Sequence, residues 1–434
     1  MRSSATPSAG PNLARETALA GARELFPALD DTAVYLDSAS TTQKPRPVIE
    51  AVDRYHSRQT ANAGRGTYPW ATTLTRELER VRARMAGFLG AQPDEVVFTG
   101  GATAALNAVA LSWALTNLRD GDEILYSPRD HGSNVYPWHH VRQLLRAFGR
   151  EIRLVPYRVT ALGEADIDHL AAAITPRTRL ITVAHLHHVF GALTTLEELR
   201  GRIDPGIALC FDCSQSGGHL PVDVTELDAD FAVFSAHKMF GTPGTGVLYC
   251  RRRRHPELTP FLPGGNSAVA LGVSPSLGDP EPRGDTELRA GAMPRLLEGG
   301  THNIPGILAL GAALDVLDGF GLDAIATHNR ALTQRLIAGL RTIPDLEFLP
   351  GPAHAPCETG YGTVSFTLPG ISATDLGFVL SEYGFLVRTG AHCVPADTVG
   401  RDEDSVRVSA HVYTTVDEID RFTECVATIA TEVR

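Results

Sequence analysis

The chain has 434 residues, with 39 lysines and arginines against 50 aspartates and glutamates, a net charge of -11 with histidine neutral. That length allows two or three domains and a large core. The acidic balance argues against non-specific binding to nucleic acid or an anionic membrane. No apolar run approaches the ~18 residues of a membrane span.

The opening MRSSATPSAGPN has no apolar stretch of the secretory type and reads as a disordered tail over residues 1–20. Short apolar runs then alternate with helical patterns. EVVFTG (95–100), EILYS (123–127), RLITVAH (179–185), ALCFD (208–212), FAVFS (231–235) and GVLYC (246–250) are predicted strands. Between them, TAALNAVALSWAL (103–115) sets Leu106, Val109 and Trp113 on one helical face. Continuous apolar strands separated by helices predict an α/β fold with a mostly parallel sheet covered on both sides. Ligands of such sheets bind at the carboxyl ends of the strands.

The run RRRR (251–254) follows a strand and reads as its solvated end; 266–298, rich in Gly, Pro and charge, reads as an extended excursion. Two long helices (305–320 and 322–342) precede GTVSFTL, a helix near 373–383, FLVRT and SVRVSA. A final helix opens on Thr415 and Glu418 as a capping box, with Val416, Ile419, Phe422, Val426 and Ile429 predicted on its inner face. The expected organisation is a large domain over 21–304 and a smaller α+β C-terminal domain over 305–434. The six cysteines (Cys210, Cys213, Cys250, Cys357, Cys393, Cys425) are sparse and mostly in apolar surroundings, which suits a reducing, cytoplasmic compartment. Cys210 and Cys213 form a C-x-x-C with no second pair to complete a zinc site, so no metal is expected.

Four strand ends carry chemistry. FSAHKMFGTPGTGVLY (234–249) ends a strand in Ser235, His237 and Lys238, and a lysine walled by apolar residues loses its charge readily and serves as an amine nucleophile. ALCFDCSQ ends another in Asp212, a carboxylate that wants a cation; a protonated pyridine nitrogen is one candidate and a structural arginine another. TGGATAALN (99–107) turns from strand to helix on two glycines, a seat for phosphate or a plain turn. In SPRDHGSNVYPW, His131 follows a strand, placed to stack on a flat ring or to cap a helix. Together the four describe a pyridoxal phosphate site. VRTGAHCVP (387–395) adds Cys393, which taken alone is either a small buried hydrophobe or a nucleophile.

YLDSASTTQKP, the FSAHK block with its glycines, LEGGTHN (297–303) and RTGAHCVP give the chain a recognisable likeness from about Ala22 to its end. It resembles the class V aminotransferase family of fold-type I pyridoxal phosphate enzymes, and within it the group II cysteine desulfurases and selenocysteine lyases. The resemblance implies that Lys238 condenses with the cofactor and moves the Cα proton. Asp212 would keep the pyridine nitrogen protonated, Gln215 would bond the ring phenolate, and His131 would stack on the ring. Ala102, Thr103, Ser235 and His237 would hold the phosphate, with Thr301 arriving from a partner subunit of a homodimer. Arg407 would clamp the substrate carboxylate, Arg65 would reach the same region, and Arg388 would be structural. Cys393 would be the sulfur acceptor, deprotonated by His392 or by the substrate, and would pass sulfur to an acceptor protein.

Two positions depart from the family. His188, in AHLHHVFGA, replaces an asparagine near the ring oxygen and is expected to donate to the phenolate or to act as an extra acid or base; Gly64 replaces a histidine before Arg65. Strand alternation is expected to put His185 and His187 on the face opposite His188. The departures keep a C–S lyase, an epimerase or an aminotransferase on the same cofactor as alternatives, beside a scaffold that has lost its chemistry.

Overall fold

The computed structural model describes residues 19, 21–30, 32–64, 66–199, 201–264, 293–349, 360–395 and 404–433. Apart from Leu19, the predicted tail lies outside the described residues, as do Arg65, Cys357 and most of the predicted excursion at 266–298.

Thirteen strands are described. In chain order they are β1 (Val34–Tyr35), β2 (Val96–Thr99), β3 (Glu123–Tyr126), β4 (Arg153–Pro156), β5 (Thr178–Ala184), β6 (Ala208–Asp212), β7 (Phe231–Ser235), β8 (Gly246–Cys250), β9 (Glu347–Phe348), β10 (Thr363–Thr367), β11 (Phe385–Leu386), β12 (Arg388–Gly390) and β13 (Ser405–Ser409). Seven form one sheet in the order β2-β8-β7-β6-β5-β3-β4. Its neighbours are parallel from β7 through β4, while β8 runs antiparallel to both β7 and β2. Six of the seven are the strands read from apolar runs. β4 escaped because its sequence, RLVP, is only partly buried and ends in proline. β6, β7 and β8 are buried at every position, as strands covered on both faces must be.

β2 therefore runs in the same direction as β7, and the carboxyl ends of β2, β3, β5, β6 and β7 converge on one edge of the sheet. Two glycines let this edge close. Gly101 sits at φ 139°, and a Cβ on Gly246 would come within 2.5 Å of Gly101 Cα. Only glycine permits that backbone angle and that approach.

A second sheet, β12-β13-β10-β9, is antiparallel and packs on helices α7 (Leu322–Leu340), α8 (Ala373–Glu382) and α9 (Val416–Glu432) when these are numbered after α1 (Arg46–Arg58), α2 (Pro69–Leu89), α3 (Ala102–Ala108), α4 (Tyr136–Ala147), α5 (Ile167–Ala173) and α6 (Ile304–Phe320). The capping box of α9 forms as predicted, Thr415 accepting from the Glu418 N–H while Glu418 accepts from Thr415 N–H. Ile419, Phe422, Val426 and Ile429 are buried, but Val416, in the first turn and off the stripe, is exposed. Burying each such apolar side chain is worth about 1.5–3 kcal/mol. The N-terminal segment joins this region. β1 pairs in parallel with β11, and Asp37 bridges to Ser409.

The RRRR run is only in part a solvated end: Arg252 and Arg253 are exposed, Arg251 is half-buried and Arg254 is buried. Arg251 pairs with Asp228, Arg252 with Asp94, and Arg253 and Arg254 both with the buried Asp230. These acids lie elsewhere in the chain, so the run's apparent isolation in sequence concealed its partners.

The segment before α6 is anchored from two sides. Asn303 caps α6 by accepting from Gly306 N–H and donates to Gly244 O and Thr245 Oγ1. Glu298 is buried against Arg82, with Oε1 2.7 Å from Nη1 and Oε2 3.0 Å from Nη2, and it also accepts from Phe98 N–H. Arg82 in turn donates to Val96 O, which ties α2 to β2. Burial raises the Glu298 carboxyl, but His302 and Arg82 together hold it below its ordinary range. Glu298→Ala removes the buried bidentate partner of Arg82 and leaves it only the exposed Glu79 carboxylate and Val96 O, and is expected to cost about 3 kcal/mol, at the low end for a broken buried pair, in urea unfolding. Because the folded carboxyl is depressed, the pair's contribution is present above the ordinary glutamate range. It is lost as pH falls through the lowered folded value, and Glu298→Ala flattens that part of the acid profile.

Candidate active site

The converging strand ends enclose a cavity of about 240 Å³ lined by Ala39, Ser40, Ala102, Thr103, His131, Ser133, His188, Asp212, Gln215, Ser235, His237, Lys238, Arg388, His392 and Arg407 among others. Of the residues read from sequence, all but Thr301, Arg65 and Cys393 line it. Thr301 lies in a different cavity, beside Thr99, Gly100 and Leu262. Arg65 is outside the described residues.

Asp212 closes β6. Its Oδ1 accepts both the N–H and the hydroxyl of Ser214, at 3.0 and 2.5 Å. No arginine pairs with it among the described residues, so Oδ2 is left for a donor inside the cavity. Lys238, on the turn after β7, opens on the same space. Burial lowers its pKa to about 8 against the opposing pull of Asp212, with Arg407 and Arg388 adding to the depression. The amine is thus partly free at neutral pH.

At the α3 end, Ala102 N–H donates to Ser235 Oγ at 3.3 Å, and Thr103 and Ser133 share a hydroxyl hydrogen bond of 2.7 Å. His237 is held neutral by burial and by Lys238, its pKa lowered to about 4. Gln215 donates to Ala39 O at 2.8 Å. His131 both caps and faces the cavity. Its Nδ1 accepts from Ser133 N–H at 3.1 Å, while burial, followed by Lys238, lowers its pKa to about 4. The two sequence readings of His131 are therefore compatible. A carboxylate with one open oxygen, a lysine with a lowered pKa, a hydroxyl-lined helix start and a neutral imidazole fit pyridoxal phosphate by their donors and acceptors.

His188 does not fit the expected donor to the phenolate. Its Nε2 lies 2.9 Å from His392 O, and a carbonyl can only accept, so the Nε2 proton is committed there. Burial, with His187, His131, Arg407 and Lys238 around it, drives its pKa well below the ordinary value. The neutral ring has no second N–H, so Nδ1 is an acceptor. The predicted alternation of faces also fails. β5 ends at Ala184, after which the chain turns, and the His187 and His188 rings stack 4.9 Å apart. His185 points away, to Ser216 Oγ at 2.9 Å.

Arg407, on β13, is buried. Nη2 donates to Asp37 Oδ1 at 3.0 Å and to Ser40 Oγ at 2.7 Å, and Nη1 donates to His188 O at 3.1 Å. Its Nε has no hydrogen-bond partner. Arg388, expected to be structural, lies in the cavity instead, because the short β12 pairs it opposite Arg407 across the sheet. Its Nη2 donates to Cys393 Sγ at 3.0 Å.

Cys393 is exposed, unlike the buried Cys210, Cys213 and Cys250. It and His392 adopt left-handed backbone angles, φ 67° and 51°. Each such non-glycine residue costs about 1–2 kcal/mol. Hydrogen bonds hold the turn: Gly132 N–H donates to Cys393 O at 2.9 Å, and His392 Nε2 shares a 2.8 Å bond with Ser405 Oγ. His392 is not the expected base for the thiol, since burial and two arginines lower its pKa to about 3 and its hydrogen bond goes to Ser405. Sequence reading passed over Ser40, Asp37 and Ser214. The available signal was the polar SAST run directly after the LD of β1's extension.

The aminotransferase class-V family profile matches residues 34–422. A probable cysteine desulfurase of Streptomyces coelicolor is 35% identical over 419 residues, covering 92% of this chain and 94% of that protein. A cysteine desulfurase of Cronobacter sakazakii is 34% identical, covering 89% and 91%. In three dimensions the chain is similar to the crystal structure of the cysteine desulfurase CsdA from Escherichia coli, with a TM-score of 0.82, 30% identity and coverage of 96% and 98%. The apo cysteine desulfurase of Thermococcus onnurineus NA1 gives a TM-score of 0.83, 29% identity and coverage of 94% and 97%. With the profile spanning nearly the whole described chain and the cavity built from the matching motifs, the protein belongs to the class V aminotransferase family.

Proposed function

We propose that the protein is a pyridoxal phosphate-dependent cysteine desulfurase, which takes sulfur or selenium from L-cysteine or a related amino acid onto Cys393 and releases alanine. The observation that carries this reading is the exposed Cys393 thiol, held 3.0 Å from the Arg388 guanidinium at the cavity that contains Lys238 and Asp212. Relatives named cysteine desulfurases, about a third identical over nine-tenths of the chain, support it.

Bound there, the cofactor supplies an electron sink that loosens the bonds at the substrate Cα and Cβ. With the cofactor bound, Asp212, whose Oδ1 is taken by Ser214, would keep a proton on the ring nitrogen through Oδ2. The Lys238 amine, with its lowered pKa, holds the cofactor and takes and returns the Cα proton. Arg407, which lines the cavity with its terminal nitrogens anchored to Asp37, Ser40 and the His188 carbonyl, would present its guanidinium charge to the substrate carboxylate. The Cys393 thiolate, paired with Arg388, attacks the substrate sulfur. The S–S bond forms as the substrate C–S bond breaks, Cβ gains a proton, and the product is alanine beside a Cys393 persulfide.

We propose a homodimer in which Thr301, which lines a cavity separate from that of its own Lys238, completes the phosphate seat of a second copy. The persulfide then needs a thiol acceptor, which we assign to a partner protein in a reducing, cytoplasmic setting. Among the described residues five cysteines are free.

Incubation with cysteine is expected to release alanine with a persulfide on Cys393, and Cys393→Ala to abolish alanine release while the cofactor stays bound. Pyruvate and ammonia in place of alanine, with full turnover by Cys393→Ala, would instead identify an eliminating lyase. The lowered Lys238 pKa also sets a pH profile. Uptake of pyridoxal phosphate by the apoprotein, trapped with borohydride, should rise about tenfold per pH unit and level off near pH 8. An ordinary lysine would place that break near ~10.4.

A further inference from the structure

Ser40 is assigned no role by its neighbours in sequence, yet its hydroxyl lies at the centre of the polar contacts in the cavity. Oγ donates to Asp37 Oδ1 at 2.7 Å and accepts from Arg407 Nη2 at 2.7 Å and Arg388 Nη1 at 2.9 Å. One donor and two acceptors exhaust what a hydroxyl can do. It has nothing left for a ligand, so its function is to hold its neighbours.

Those neighbours close a circuit. From Cys393 Sγ the path runs to Arg388, through Ser40 Oγ to Arg407, from Arg407 Nη1 to His188 O, and from His188 Nε2 to His392 O. The peptide bond from His392 to Cys393 completes it. Two guanidiniums repel one another, and a shared acceptor backed by the Asp37 carboxylate is what lets them stand together. The dependence is unequal. Without Ser40 Oγ, Arg407 keeps Asp37 and the His188 carbonyl. Arg388 keeps no side-chain or backbone oxygen acceptor among the described residues, only the thiol it is meant to position.

We propose that Ser40 is a positioning residue for the thiol: its hydroxyl fixes Arg388 against Cys393 Sγ and links that contact to the carboxylate-clamping Arg407. This deepens the desulfurase reading and rests on it for the role of Cys393. The charged groups that face Cys393 are Arg388, Lys238 and Arg407. The hydroxyl controls how closely the first of these approaches.

The test uses the pyridoxal phosphate-loaded, full-length protein and iodoacetamide, with alkylation of the Cys393 peptide followed by mass spectrometry between about pH 6 and 9, a range spanning the ordinary thiol pKa. Ser40→Ala should slow alkylation at neutral pH about five- to tenfold, whereas Ser40→Thr, which keeps a hydroxyl, should stay near wild type. Ser40→Gly is the second deletion of the hydroxyl if Ser40→Ala does not fold. In an Arg388→Gln background Ser40→Ala should have no further effect. The cysteine concentration that half-saturates the cofactor's spectral response should not change, because Arg407 retains its other anchors. Alkylation of the hydroxyl-deleted variant at the wild-type rate, or an undiminished effect in the Arg388→Gln background, overturns the proposal. Alkylation reports on the thiol whether or not alanine is released, so this result stands apart from the outcome of the desulfurase assay.

Discussion

The Asp212 carboxylate is the constraint around which the site is organised. It ends a strand buried at every position, in the middle of a seven-stranded sheet, and its own chain satisfies only one of its oxygens. A carboxylate in such a place is costly unless positive charge faces it. The cavity supplies that charge in Lys238, Arg407 and Arg388, all on segments that meet at this edge. Three cations against Asp212 and Asp37 leave the cavity rich in positive charge. Burial, reinforced by that charge, holds His131, His188, His237 and His392 in the neutral form. The same field favours anionic groups: a phosphate, a carboxylate and a thiolate.

Rigid strand ends supply most of this geometry, but the thiol comes from a turn. His392 and Cys393 are both left-handed in a stretch where glycine stands only at 390. Strain of this kind persists only where surrounding contacts over-determine it. Here the contacts come from the turn after β3, the segment after β5, and β13. The thiol turn is thereby tied to the same elements that hold the cofactor and the substrate. The joining of β1 to β11, and of Asp37 to Ser409, brings the SAST run into the cavity from the far end of the chain.

Much of this is legible in the order of the amino acids. Six strands of the central sheet stand out because a strand covered on both faces must be apolar throughout, and a polar residue immediately after such a strand must lie at the sheet's edge. That logic reaches Lys238, Asp212, His131 and the Ala102–Thr103 turn without knowledge of their distances. It fails where the strand ends earlier than its apolar run. β5 stops at Ala184, so alternation misplaces His187 relative to His188. It fails again where a charge's partner is remote, as with Arg254 and Asp230 or Arg388 and Ser40.

The sequence by itself determined the element types, the parallel sheet and the chemical kinds of group gathered at its edge, because hydrophobic periodicity and strand-end polarity are local properties of the chain. Which proton His188 carries, where Arg388 points and what Ser40 holds were decided only by tertiary structure. Each depends on a hydrogen bond between segments more than 200 residues apart, and no local pattern of residues encodes a contact of that span.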